Sequence, residues 1–336
     1  MSFNIVCGGF WGDEGKGKIL SYLALSDNPA IVARAGVGTN AGHTIQFEGK
    51  EYKLRMIPSG FVNPNVRLLI GAGVLVDPDV LFREIKETQT QDRIWVDFQS
   101  GIIEKKHREM DSSNTHLKDK IGSTGSGTGP ANMDRALRKL KIARDIPMLE
   151  SYLTDVSLEI SEALENGQGV IGEGSQAILL SLFHGSYPFV TSKDVSAAAI
   201  CSDLGIGPTK VTDVTVVMKS FVTRVGTGEL PGELSVEEVE QRGWTEYGAV
   251  TGRLRRAAPF NFELARKAVR LNGATQIALT KLDIVYPETS KANDISSLKG
   301  NAMEFIDRIE EETKVKVTIV GTGPSAEDII DLRDNA

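Results

Sequence analysis

Cysteine is almost missing from this sequence of 336 residues: Cys7 and Cys201 are the only two, far apart and without a second thiol beside either. That excludes a disulfide framework and a Cys-x-x-Cys metal or redox pair, and it leaves two buried core thiols in a reducing compartment as the expectation. Long apolar runs are missing too, since none approaches the ~18 residues of a membrane helix, and the opening MSFNIVCGGF has no charged stretch before its apolar residues. Basic charge is in deficit, with 38 Lys+Arg against 45 Asp+Glu and a net charge of -7. A broad nucleic-acid-binding surface is thereby excluded, and any phosphate site has to be local. We therefore expect a cytoplasmic protein with neither a membrane nor a nucleic acid as partner.

Internal repeats, low-complexity tracts and Pro/Ser-rich linkers are absent as well, so residues 1–336 read as a single domain. What is present is a globular composition, 40% hydrophobic and 25% charged. The residues 3–9, FNIVCGG, form a short apolar run that stops at glycines and is followed by a helical pattern over 16–25. The alternation recurs. Strands are expected at 66–70, 94–98, 170–172, 214–219, 276–280 and 315–320, and helices at 80–86, 156–164, 262–271 and 303–311. Two stretches between Ile31 and Leu54 look antiparallel, with Phe47-Glu48-Gly49-Lys50 turning TIQ into YKL. The fold class expected is α/β: a mostly parallel, mixed sheet flanked by helices on both faces and decorated by a hairpin.

Six stretches carry chemistry. Gly8–Lys18, GGFWGDEGKGK, lies between the first strand and the first helix, where loop amides and a helix N-terminus can close around phosphate. It resembles a P-loop without being one: five residues separate Gly9 from Gly15-Lys16, and Gly17 stands where a magnesium-holding Ser/Thr would be. Asp13 inside this loop would be repelled by phosphate unless it holds magnesium, acts as a base, or does both. GVGTNAGHT at 36–44 sets His43 among small residues near Asn40. GSTGSGTGPANMDRALR at 122–138 offers a second glycine-rich nest, with an expected helix bearing Arg135 and Arg138.

GEGSQ at 172–176 and YPFVTSKD at 187–194 concentrate hydrogen-bonding side chains that could read a heterocycle. GAVTGRLRRAAP at 248–259 packs Arg253, Arg255 and Arg256 into four positions, either a solvated surface or an anion trap. TKLD at 280–283 places Asp283 where it could accept from the N1–H and 2-amino group of guanine, with the Lys281 stem over the ring.

Taken in order, WGDEGKGK, NAGHT, IGSTGSGTGPA, EGSQ, GSYPFVTS, TRVG, TGRLRR, TKLD and GTGP resemble the adenylosuccinate synthetase family from end to end, in its shorter archaeal-type form. The resemblance implies a ligase of purine biosynthesis that joins IMP to L-aspartate using GTP and Mg2+. Asp13 would be the base at purine N1, and His43 the group that stabilises the transferring phosphoryl. Lys16 and the loop at Gly12, Gly15 and Gly17 would hold GTP phosphates with Thr44, and magnesium would sit on Asp13 and the Gly42 carbonyl. Lys281, Asp283, Gly321, Gly323 and Pro324 would form the guanine pocket. Asn40, Thr124, Gln176 and Thr191 would contact the accepting nucleotide, and Arg138 would reach its phosphate from the partner in a homodimer. Val250, Thr251, Arg253 and Arg255 fall where the family binds aspartate.

Two positions depart from the family pattern: Leu254 interrupts a run that is commonly four arginines, and Ala177 replaces the glycine that usually follows Gln176. A viral offshoot of the family uses dGMP in place of IMP, giving a 2-aminoadenine precursor, and typically changes the loop aspartate, which is kept here as Asp13. Both accepting nucleotides stay open, with IMP favoured. A non-catalytic GTP-binding switch is the reading from another class; it would need a Ser/Thr at Gly17 and no arginine cluster.

Overall fold

The computed structural model describes residues 2–248 and 252–335. Its spine is a ten-stranded sheet that runs, edge to edge, 329–331, 317–321, 276–280, 213–219, 2–8, 169–173, 31–34, 67–70, 94–97 and 153–154. All neighbours are parallel except the edge pair 317–321 and 329–331, so the sheet is mixed as expected.

Period-two alternation along the strands explains the layers. Phe3, Ile5 and Cys7 face one core, which also holds Val216, Met218, Ile277 and Leu279 and is covered by helices Val156–Glu165, Ala197–Leu204, Phe262–Asn272 and Asn301–Thr313. Their neighbours Val6, Val217 and Ala278 face a second core under helices Lys16–Ser26 and Pro78–Thr88. The strands are buried on both faces, which is why they read as continuous apolar runs. Both cysteines are buried free thiols, and burial pushes the Cys7 thiol up to about 12.

The hairpin forms from His43–Phe47 and Lys50–Leu54 around the expected turn. Ile31–Arg34, just before it, joins the main sheet between Gly169–Glu173 and Arg67–Ile70. One expectation needs correction. The helix after the second glycine loop spans Thr128–Ala136 and carries Arg135, but Arg138 lies beyond its end, exposed, with φ of 59°.

Candidate active site

Parallel strands gather their functional loops at their carboxyl ends. Here the loops after Gly8, Arg34, Glu173, Lys219, Thr280 and Gly321 all leave the same edge of the sheet. They border a cleft of about 410 Å³ whose walls include Gly12, Asp13, Lys16, Asn40, Gly42, His43, Thr124, Gln176 and Thr191.

The phosphate loop is held from inside by Glu14. Its Oε1 accepts from the Phe10 and Gly12 amides at 3.0 and 2.8 Å, and its Oε2 pairs with Lys16 Nζ at 3.0 Å. Glu14 is the residue that sequence reasoning passed over beside Asp13. Gly15, at φ 82°, starts helix Lys16–Ser26, and a Cβ there would lie 3.3 Å from Thr280 Cγ2. Gly17 has a packing reason for lacking a side chain: a Cβ would meet Ile45 at 3.1 Å, His43 Cβ at 3.2 Å and the Thr44 carbonyl at 3.3 Å. Thr44 itself is exposed on the hairpin strand that passes this helix.

His43 is buried against Glu173, with Nδ1 2.6 Å from Oε1. Two lone pairs cannot face each other at that distance, so Nδ1 carries the hydrogen and donates it to the carboxylate. Glu173 also takes Arg34 Nη1 at 2.5 Å, the Ser59 amide at 2.6 Å and the Ser59 hydroxyl at 2.9 Å. Burial alone would raise Glu173, but Arg34 and His43 hold it down at about 2. His43 is pushed down to about 4, first by burial and then by Arg34. Arg34 and Ser59 carried no signal in the sequence; Glu173 stood inside GEGSQ but was not singled out.

Asn40 and Thr191, distant in sequence, meet directly, Nδ2 donating to Oγ1 at 3.1 Å. Gln176, at φ 57°, receives the Ser175 hydroxyl on Oε1 at 2.7 Å. Its Nε2 and Asn40 Oδ1 are buried without a hydrogen-bond partner among the described residues. Such orphans facing a cleft are what a polar ligand would satisfy. Thr124 pairs with Ser126 on the second glycine loop. Ala177 stays out of the cleft lining: it is fully buried, and a Cβ on Gly8 would come within 2.6 Å of its methyl.

The arginine cluster divides by role. Arg256 turns away to Glu233 and the Gly226 and Gly228 carbonyls. Arg253 clamps the second glycine loop through the Gly122 and Ser123 carbonyls at 3.0 and 2.9 Å. Arg255 Nη2 lies 2.9 Å from Asp13 Oδ1, and its Nη1 pairs with Glu246. Asp13 sits at φ 62°, and burial raises its pKa against the opposing pull of Arg255 and Lys219. Burial would also raise Glu246, yet Lys219, Lys281 and Arg255 keep it at about 2. The expected site residues Val250 and Thr251 lie outside the described residues.

After the strand Gln276–Thr280, Asp283 lies in the first turn of the short helix Leu282–Val285, and its Oδ1 is buried without a hydrogen-bond partner among the described residues. Lys281 precedes it at φ 59°. Gly321, Gly323 and Pro324 follow the strand Val317–Gly321, near enough for Lys18 Nζ to bond the Gly323 carbonyl at 2.5 Å and the Asp328 carbonyl at 2.7 Å. Lys18, unmarked by sequence reasoning, ties the helix Lys16–Ser26 to the segment that follows strand Val317–Gly321, and burial brings it down to about 8.

The donors at hand suit a hard, oxygen-liganded cation. Asp13 and Gly42 line one cleft, and Thr39 Oγ1 and Asn40 Oδ1 nearby are buried oxygens without a hydrogen-bond partner among the described residues. Among those residues, no three His, Cys, Asp or Glu side chains gather into a cage. Magnesium with one carboxylate, a carbonyl and substrate phosphates fits this set.

A parallel α/β sheet with a phosphate loop after its first strand, and carboxylate, histidine and arginine converging above it, defines a nucleotide-dependent enzyme. The family model for adenylosuccinate synthetase matches residues 5–148 and 140–288. The adenylosuccinate synthetases of Methanococcus vannielii and Thermococcus sibiricus are 53% and 55% identical, over 99% and 100% of this chain and 100% of theirs. The chain belongs to the adenylosuccinate synthetase family and is a GTP-dependent ligase that forms a carbon–nitrogen bond. The fully ligated adenylosuccinate synthetase of Plasmodium falciparum has a similar structure, at a TM-score of 0.90 and 26% identity, covering 98% of this chain and 99% of that one. A cyanophage S-2L succinoaminodeoxyadenylate synthetase bound to dGMP and dATP shares the fold at a TM-score of 0.82 and 24% identity, over 98% and 95%.

Proposed function

We propose that this ligase condenses IMP with L-aspartate at the expense of GTP, giving adenylosuccinate, GDP and phosphate. The observation that carries the reading is the 2.9 Å pairing of Asp13 with Arg255 beside the cleft that holds His43. A proton-accepting carboxylate then adjoins a carboxylate-binding guanidinium, as joining an amino acid to an activated purine requires.

Asp13 takes the N1 proton, and the purine 6-oxygen attacks the γ-phosphorus as GDP leaves. The aspartate amine then adds at C6, loses a proton, and phosphate departs with the former 6-oxygen. The chain's contribution is positioning and charge neutralisation. Lys16 and the loop glycines hold the phosphates, with Thr44 beside them. His43, neutral at rest, becomes easier to protonate when phosphate charge arrives, and Nε2 can then donate to the phosphoryl group while Nδ1 stays on Glu173. Magnesium, held by Asp13 and the Gly42 carbonyl, would supply charge neutralisation at the phosphates.

Asn40, Thr124, Gln176 and Thr191 hold the accepting nucleotide, and Val250, Thr251, Arg253 and Arg255 hold the aspartate. Lys281, Asp283, Gly321, Gly323 and Pro324 read the guanine. Arg138 serves the cleft of a second copy in a homodimer; its exposure beyond the helix end, outside the cleft lining of its own chain, supports this. Among the described residues no helix is long and apolar enough to cross a membrane, and we read the enzyme as a single cytoplasmic domain.

The test is a panel of IMP, dIMP, GMP and dGMP with aspartate and GTP, read by product mass and phosphate release. The expected result is the highest kcat/KM with IMP. A higher value with dGMP would overturn the choice of nucleotide, and phosphate release that ignores aspartate would overturn the reaction.

A further inference from the structure

Glu246 lies outside every motif that assigns a site residue, yet three cations from three separate elements converge on its carboxylate. Lys219, buried at the end of strand Asp213–Lys219, bonds Oε2 at 2.8 Å and Thr223 Oγ1 at 2.6 Å. Lys281, just past strand Gln276–Thr280, approaches Oε1 at 3.6 Å. Arg255 reaches Oε2 through Nη1. The backbone repeats the link, since the Arg255 amide donates to the Glu246 carbonyl at 2.9 Å, and a bridge between Tyr247 and Leu254 follows. Glu246 and Arg255 thus face each other across this backbone pairing.

A guanidinium offers five donors in a rigid fork, so fixing one nitrogen fixes the direction of the rest. With Nη1 on Glu246, Nη2 points at Asp13, 2.9 Å away, and Nε is buried without a hydrogen-bond partner among the described residues. Without the Glu246 charge, Lys219 and Arg255 would be two neighbouring cations that repel each other, and Arg255 would lose its anchor at Nη1. Lys219 is buried at a strand end and keeps its bond to Thr223.

We propose that Glu246 is a positioning residue for the amino-acid substrate: by pinning Arg255 at Nη1, it presets the Nε edge to receive the aspartate carboxylate. This rests on the reading of Arg255 as an aspartate-binding residue.

The experiment is steady-state kinetics of Glu246→Gln with aspartate and IMP varied in turn, on active-site-titrated enzyme. The KM for aspartate is expected to rise about tenfold or more, the scale of one charge-assisted hydrogen bond, while the KM for IMP stays within about twofold. An unchanged aspartate KM, or equal changes in both KM values, overturns the proposal. If Glu246→Gln does not fold, Glu246→Asp keeps the charge but withdraws it by one methylene. It should raise the aspartate KM several-fold with IMP unaffected, and a wild-type value there is equally fatal. Wild-type enzyme that releases phosphate without needing aspartate would instead remove the reading of the reaction on which this rests.

Discussion

Glu173 Oε1 and His43 Nδ1 stand 2.6 Å apart, with both side chains shut away from solvent. The pair orients the imidazole while Arg34 compensates the carboxylate. Replacing Glu173 by Gln leaves Arg34 buried without its counter-charge, which is expected to cost about 3 kcal/mol or more in denaturant unfolding. Loss of the orienting acceptor should also lower kcat on the order of 10²-fold. A Glu173→Gln enzyme with near-normal turnover would show that His43 needs no partner.

The same pair sets an acid limit on stability. His43 falls from 6.5 to about 4 in the folded protein, so the unfolded chain binds the extra proton between those values, and stability drops as pH falls through that window. Glu173, lowered from 4.5 to about 2, adds a further loss below 4.5. The His43 share is at most ~3 kcal/mol. Urea titrations at pH 7, 5 and 4 should give falling unfolding free energies, with the upper step reduced in His43→Asn. Equal slopes for both proteins would contradict this origin.

Asp13→Asn should abolish turnover and leave the fold intact. The backbone at Asp13 is left-handed, with φ 62°, and asparagine is among the residues that tolerate that region. The amide accepts no proton and supplies no charge. Melting within a few degrees of wild type, with less than about a tenth of its rate, is the expected combination. A larger residual rate would take the base role from Asp13.

Asp283 Oδ1 has no hydrogen-bond partner among the described residues, and guanine would satisfy it where adenine would set a lone pair against it. Mispaired buried groups cost ~1 to 3 kcal/mol each, so GTP should exceed ATP by about tenfold or more in kcat/KM. Asp283→Asn should narrow that ratio. Equal use of ATP by the wild type would displace Asp283 from the donor pocket.

Ala177→Gly restores the residue common in the family and should leave the preference among purine monophosphates unchanged, because the methyl packs toward Gly8 and not into the cleft. A stability loss of about 1 kcal/mol, from the emptied methyl site, is the expected effect. A changed ratio of IMP to dGMP use would show that the methyl shapes the purine wall after all.

Much of this protein was legible in one dimension. Strands buried on both faces leave unbroken apolar runs, so Gln276–Thr280 and Asp213–Lys219 were recognisable beside amphipathic helices such as Phe262–Asn272. The glycine loops were visible because glycine is favoured in the left-handed backbone they use: Gly12, Gly15, Gly122, Gly125 and Gly127 all have positive φ. Asp13, His43, Asn40, Thr124, Gln176 and Thr191 stand in compact motifs, and the fold brings all six to one cleft. The sequence also placed Arg253, Arg255 and Arg256 together, though nothing in their order told the three apart.

Only tertiary contact separated them, sending Arg256 to Glu233, Arg253 to the Gly122 loop and Arg255 to Asp13. Contacts between distant segments leave no period and no local spacing, so Lys18, which bonds the Gly323 and Asp328 carbonyls, was hidden beside a loop already read for phosphate, and Lys219 and Glu246 within ordinary strand and loop. The chain by itself determined where the glycine loops would form, through backbone conformations that a short motif dictates. The pairing of buried charges was decided by the sheet order, because the energy of a buried carboxylate depends on which cation the fold sets within hydrogen-bonding reach and not on its neighbours in sequence.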